Sequence, residues 1–281
     1  MPAMIAQPGM PVWLDLASTD AAGAEKFYSE LLGWEFEQVS DGYTVAKKQG
    51  MPVAGIAQIP EGNRSVWGVL LYTPDVQQAH DKAVQAGAKS VLEPQGLGDR
   101  GDMAIIVDPS GATIGLRNPA DEHALIAAGE PGTPVWFELM VAQNWDTTLE
   151  FYHELAGWDI KATGDGAGES AGDGAGAEEF RYATGEFDGA AVVGLWDTSR
   201  LEVPGMWTVY LGVADVDAAI ASTPELGGKV IRPAWESEFG RMATIEDPTG
   251  ALVNLCEIEE FVPDEDAHEP DLLAPENFQA F

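Results

Sequence analysis

Three scarcities set the first limits on this chain of 281 residues. It has one cysteine, Cys256, so no disulfide can close within the chain, which suits a reducing compartment and leads us to expect a cytoplasmic protein. It has 14 Lys and Arg against 47 Asp and Glu, a net charge of −33, and such a field repels nucleic-acid phosphate and anionic lipid. It has no apolar run near the roughly 20 residues that span a bilayer. The opening MPAMIAQPGM lacks a basic segment and an apolar core, so it does not read as a secretory signal. No Gly-rich phosphate loop leads into a helix with Lys, and no Ser–His–Asp arrangement is visible in the order of residues. The expected partner is therefore a small molecule, with neither nucleic acid nor membrane, bound by a monomer or homodimer.

The strongest positive signal is internal repetition. PVWLDL at 11–16 returns as PVWFEL at 134–139, and FYSELLGW at 27–34 as FYHELAGW at 151–158. WGVLLYTPDV at 67–76 returns as WTVYLGVADV at 207–216, GAKSV as GGKV, and DPSGATIGL at 108–116 as DPTGALVNL at 247–255. The order is the same in both halves. Boundaries follow: an N-terminal arm at 1–10, a first domain at 11–118, a linker at 119–133, a second domain at 134–258 and an acidic tail at 259–281. A Gly/Glu-rich insertion at 163–179, read as a flexible loop, accounts for the longer second copy.

Inside each copy a shorter unit recurs. VWLDLAS is rich in β-formers, Asp20 fits an N-cap, and Ala24, Phe27, Tyr28, Leu31 and Leu32 share one helical face that ends at Gly33. Three strand-like runs follow, WEFEQV, YTVAKK and PVAGIAQI. The pattern then repeats with VWGVLLYT, a helix from Asp75 to Ala86, and strands near Val91, at 103–107 and at 112–117. Each half is βαβββ twice, an α+β fold.

Tandem βαβββ modules, FY-x-E-L-x-GW after the first strand and DP-S/T-G before the last resemble the vicinal oxygen chelate superfamily of glyoxalases, bleomycin-resistance proteins and extradiol dioxygenases. Within it the likeness is to two-domain glyoxalase-like proteins of actinobacteria, over nearly the whole chain. The resemblance implies two cupped, mixed β-sheets with helices on the outer face. It also implies that enzymatic members hold a divalent metal with His and Glu from the first and last strands of paired modules. Carried onto this sequence, those positions fall on Leu14 or Trp13, Gly68 and Gly115, and on Phe137 or Trp136, Thr208 and Asn254. None is a good ligand. His80 and His153 read as solvated helix residues, His123 as linker and His268 as tail. No metal and no other cofactor is expected; a divalent metal is disfavoured.

Two sets of residues remain as candidates. Asp15 and Glu138 share a repeat position inside apolar strands, as acids with raised pKa facing a cup and candidates for catalysis, or as structural caps facing away. Trp13, Trp67, Tyr72, Trp136, Trp207 and Tyr210 are the candidate aromatic walls of a binding cup. Glu186, Glu236 and Glu238 read as loop acids near the mouth. The expectation is a metal-free binder of a small, planar molecule, of the resistance-protein kind. The alternatives are a lyase or dioxygenase with an atypical metal site, and a scaffold for a protein partner.

Overall fold

The computed structural model describes residues 3–119, 125–163, 181–237 and 240–259. Most of the insertion and tail, with His123, Glu238 and His268, lie outside the described residues.

The first half runs β2 (Pro11–Ser18), α1 (Ala21–Leu32), β3 (Glu35–Ser40), β4 (Tyr43–Lys48), β5 (Met51–Gln58), β6 (Val66–Tyr72), α2 (Val76–Gln85), β7 (Lys89–Gly96), β8 (Asp102–Val107) and β9 (Thr113–Asn118). The second runs β11 (Pro134–Val141), α3 (Trp145–Ala156), β12 (Asp159–Thr163), β13 (Tyr182–Phe187), β14 (Ala190–Asp197), β15 (Met206–Val213), α4 (Val216–Ser222), β16 (Lys229–Ser237), β17 (Gly240–Glu246) and β18 (Leu252–Glu257). Two short strands were not foreseen. β1 (Ala3–Ile5) and β10 (Leu125–Ala127), from the arm and the linker, pair antiparallel as a separate ribbon.

Each half folds into one eight-stranded sheet, ordered β3-β4-β5-β2-β6-β9-β8-β7 and β12-β13-β14-β11-β15-β18-β17-β16. The pairs β2–β5, β6–β9, β11–β14 and β15–β18 are parallel and the rest antiparallel, so the sheets are mixed. The helices form where the caps say they should. Asp20 accepts from the Gly23 amide, Asp75 from Gln78 and Asp215 from Ala218, while Gly33 and Gly157 close α1 and α3 in the left-handed conformation.

One continuous core joins both halves, and it is built from the repeated motifs. Trp34 and Trp158, the tryptophans of the two GW pairs, are almost fully buried. Each donates its indole N–H across the molecule, Trp34 to the Gly132 carbonyl at 2.7 Å and Trp158 to the Gly9 carbonyl at 2.9 Å, just ahead of the other half's first strand. Tyr28 stacks on Trp34 and Tyr152 on Trp158, at 5.3 and 4.9 Å between centroids, and Trp67 and Trp207 meet these pairs edge-on. α1 and α3 thus lie on the convex side of their own sheets and also against the other half.

Candidate functional site

The opposite, concave face of each sheet carries the candidate site. On β2 the alternation is regular after a bulge near Val12: Leu14 and Leu16 are buried towards the helices, while Trp13 and Asp15 turn inward. Asp15 sits opposite Gly55 on β5 and Gly68 on β6. Its Oδ1 accepts two hydrogen bonds, from the Trp13 indole at 2.8 Å and from the Tyr43 hydroxyl at 2.7 Å. Gly55 makes this possible, because a Cβ there would lie 2.1 Å from the Tyr43 oxygen and 2.2 Å from Asp15 Oδ1.

Burial pushes the Asp15 carboxyl above the ordinary aspartate range; the bonds from Tyr43 and Trp13 and the charges of Arg117 and Arg100 oppose the shift without cancelling it. Arg100, from a single 3-10 turn at Gly98–Arg100, lies over the Tyr43 ring at 4.8 Å, and Arg117 on β9 donates to the Arg100 carbonyl at 3.1 Å. Tyr72 stands beside Arg117 in the register, and Tyr72, Trp13 and Ala128 pack against Ala6 and Val12.

The second half repeats the plan with different contents. Glu138 faces inward opposite Gly194 and Thr208, and both its oxygens are engaged: the Tyr182 hydroxyl donates to Oε1 at 3.0 Å and the Tyr210 hydroxyl to Oε2 at 3.1 Å. Burial again raises the carboxyl above its ordinary value against these two bonds. Tyr210, Met242 and Cys256 cluster with Trp136 and Trp235, and Arg232 covers the Trp235 ring at 3.8 Å.

Several expectations change. Each first strand turns two residues inward, Trp13 and Asp15 on β2 and Trp136 and Glu138 on β11, while Leu14 and Phe137 pack in the core. Trp67 and Trp207 do not wall the cups. They pair with Leu16 and Leu139, on the helix side, and donate to Tyr28 and Tyr152 at 3.0 and 3.1 Å. Trp13, Tyr72, Trp136 and Tyr210 do lie on the concave side. His80 is buried rather than solvated, with Nε2 2.8 Å from Ser90 Oγ, and Asp81 lies 3.5 Å from its Nδ1. Among the described residues Nδ1 has no hydrogen-bond partner, so the acid–imidazole bond of a serine triad is not made. Glu186 accepts from Thr184, and Glu236 is exposed and ion-paired with Arg241. Tyr43, Tyr182, Gly55, Arg100 and Arg117 were missed. Tyr43 and Tyr182 head equivalent runs, YTVAKK and YATGEF, and that match was the available signal.

Beside the aromatic residues, the inward positions that would have to supply metal ligands hold Asp15, Gly55, Gly68 and Gly115 in one half, and Glu138, Gly194, Thr208 and Asn254 in the other. One carboxylate among glycines, or one carboxylate already bonded to two tyrosines, does not fit a three- or four-ligand site. Among the described residues no three His, Cys, Asp or Glu side chains gather to hold a metal ion. Two surface hollows, along α2 and beside Arg181 and Asp197, lie away from both concave faces.

Two cupped sheets of paired βαβββ modules define a class, and sequence comparison bears it out. Residues 12–116 match the glyoxalase-like domain family, and residues 135–255 match the glyoxalase/bleomycin resistance protein/dioxygenase superfamily, so the chain belongs to that superfamily. The protein named "Putative glyoxylase CFP32" of Mycobacterium tuberculosis is 33% identical over 257 residues, 88% of this chain and 94% of that one. The anthracycline biosynthesis protein DauV of Streptomyces sp. strain C5 is 30% identical over 275 residues, 91% of this chain and 96% of its own. Among solved structures, the Mn(II)-bound glyoxalase of Novosphingobium aromaticivorans superposes with a TM-score of 0.60 at 17% identity, covering 90% of this chain and 84% of that one, a likeness of fold. No helix of the described residues is long and apolar enough to cross a membrane.

Proposed function

We propose that the protein binds a small, planar aromatic molecule on the concave face of its sheets, as a metal-independent cytoplasmic binder of the bleomycin-resistance kind. The observation that carries this reading is the inward constellation of Trp13, Tyr43, Tyr72 and Asp15. It supplies aromatic faces for stacking and one buried acceptor for orientation, at positions where a metalloenzyme would need several ligands. DauV carries anthracycline in its name, and anthracyclines are planar aromatic compounds, which agrees with such a ligand.

A second reading, a lyase or dioxygenase with an atypical metal site, has one observation in its favour. Asp15 and Glu138 occupy the inward first-strand position. Chelator-treated protein separates the two. Quenching of tryptophan fluorescence by planar aromatic probes, reduced in Trp13→Phe, supports the binder. Tight uptake of Ni²⁺ or Zn²⁺ at one equivalent per domain, with probe binding only in its presence, supports the metalloenzyme and sinks the binder.

A further inference from the structure

The two cups differ in charge, and the difference names a ligand class. In the second, both carboxylate oxygens of Glu138 are taken by tyrosine hydroxyls, and Tyr210 and Cys256 stand at the repeat positions of Leu70 and Arg117. In the first, both donors to Asp15 meet at Oδ1, which leaves Oδ2 for a ligand. Arg117 and Arg100 lie close enough for Asp15 to feel both charges, yet among the described residues neither guanidinium has a carboxylate within ion-pair distance.

That is unusual in a chain where acids outnumber bases 47 to 14. Several of the scarce cations elsewhere find acids, Arg181 with Asp197, Arg241 with Asp217 and Glu236, and Lys229 with Glu246, while Arg232 in the second half lies over the Trp235 ring and Lys48 donates to the Leu32 carbonyl. Two guanidiniums and one carboxyl give this cup a positive balance whether or not Asp15 is ionised. Within a strongly negative molecule it is a local well for an anion. A guanidinium also matches a planar carboxylate or an oxyanion conjugated to a ring, by paired N–H donors and by stacking.

We propose that the first cup, and not the second, is selective for anionic planar arenes, with Arg117 and Arg100 holding the anionic oxygens and Asp15 Oδ2 free to take a ligand hydroxyl. This rests on the reading of the cups as binding sites. The arginines act as specificity-determining residues, while the aromatic walls supply affinity that does not depend on charge.

The test compares 2-naphthoate with 2-naphthol, equal in ring size and different in charge at neutral pH, by calorimetry on the full chain. The expected result is one 2-naphthoate per chain, bound at least about tenfold more tightly than 2-naphthol. That preference disappears in Arg117→Gln and is largely restored in Arg117→Lys. High salt weakens 2-naphthoate and leaves 2-naphthol unaffected. If 2-naphthol binds as well as 2-naphthoate, or if the preference survives Arg117→Gln, the anion selectivity is wrong and the cups remain binding sites. If the preference is equal at two sites per chain, the assignment to the first cup is wrong. If neither probe binds, the reading of the cups falls and takes this proposal with it.

Discussion

The Tyr152 hydroxyl, on the first helix of the second half, donates a hydrogen bond of 2.7 Å to Oδ2 of Asp108, in the last turn of the first half. Its counterpart, Tyr28 to Asp247 at 3.1 Å, runs the other way across the molecule. Each aspartate uses its two oxygens for different purposes. Oδ1 builds the local turn by accepting from Ser110 and Ala112, or from Thr249 and Ala251, while Oδ2 reaches the other half. The repeated Asp-Pro-x-Gly and Phe-Tyr motifs are thus two ends of one bond, made twice.

It follows that the halves unfold together. Urea melts of the full chain should show a single transition by both fluorescence and circular dichroism. Tyr28→Phe and Tyr152→Phe should each cost about 1–2 kcal/mol, because each leaves a buried acceptor short of a donor. Asp108→Ala should cost more, about 3 kcal/mol, since the turn loses its internal bonds as well. Two well-separated transitions in the unmodified protein would contradict the shared core.

Glycines at the concave face offer a sharper contrast. In Gly55→Ala the new methyl would meet Tyr43 and Asp15, whereas the nearest atom to a Cβ at Gly68 is the Asp15 carbonyl oxygen at 3.6 Å. Gly55→Ala should therefore destabilise by about 1–3 kcal/mol and displace the Asp15 carboxylate, with loss of probe binding. Gly68→Ala should leave stability within about 0.5 kcal/mol. Equal melting temperatures for the two variants would show that the Asp15–Tyr43–Trp13 set is not packed as described.

The fold was far more legible in the sequence than the site. Repetition and caps such as Asp20, Asp75 and Gly33 set the element order, because they act locally and leave their mark in consecutive residues. Which face a strand residue takes depends on register, and register depends on partners far along the chain. Trp13 pairs with Leu70 and faces inward; Trp67 pairs with Leu16 and faces the helices. Nothing in the residue type distinguishes the two tryptophans. For the same reason Asp15 was noticed as a repeated acid but its direction was not, and Arg100 and Arg117, brought together from a turn and a strand, left no sequence pattern.

The raised carboxyls give a signed pH dependence. The folded-state values of Asp15 and Glu138 lie above their unfolded values of 3.8 and 4.5, so the native chain binds these protons more tightly. Their contribution favours folding below the unfolded values and is lost as pH rises through the raised folded values. In Asp15→Asn with Glu138→Gln that loss disappears, while the amide oxygens still accept from Trp13, Tyr43, Tyr182 and Tyr210. Measured from mildly acid to neutral pH, the double variant should gain stability relative to the unmodified protein as pH rises. A constant difference across that range would mean that neither carboxyl is shifted.

The central claim is that the concave faces bind aromatic ligands without a metal, and it is tested most directly by titrating chelator-treated protein with a planar aromatic probe and following tryptophan fluorescence. The account predicts saturable quenching that persists in excess chelator, is clearly reduced in Trp13→Phe and is unchanged in Trp67→Phe, since Trp67 lies in the core on the far side of the sheet. Quenching that appears only after a divalent metal is added, or that is lost with Trp67 and kept without Trp13, would contradict it.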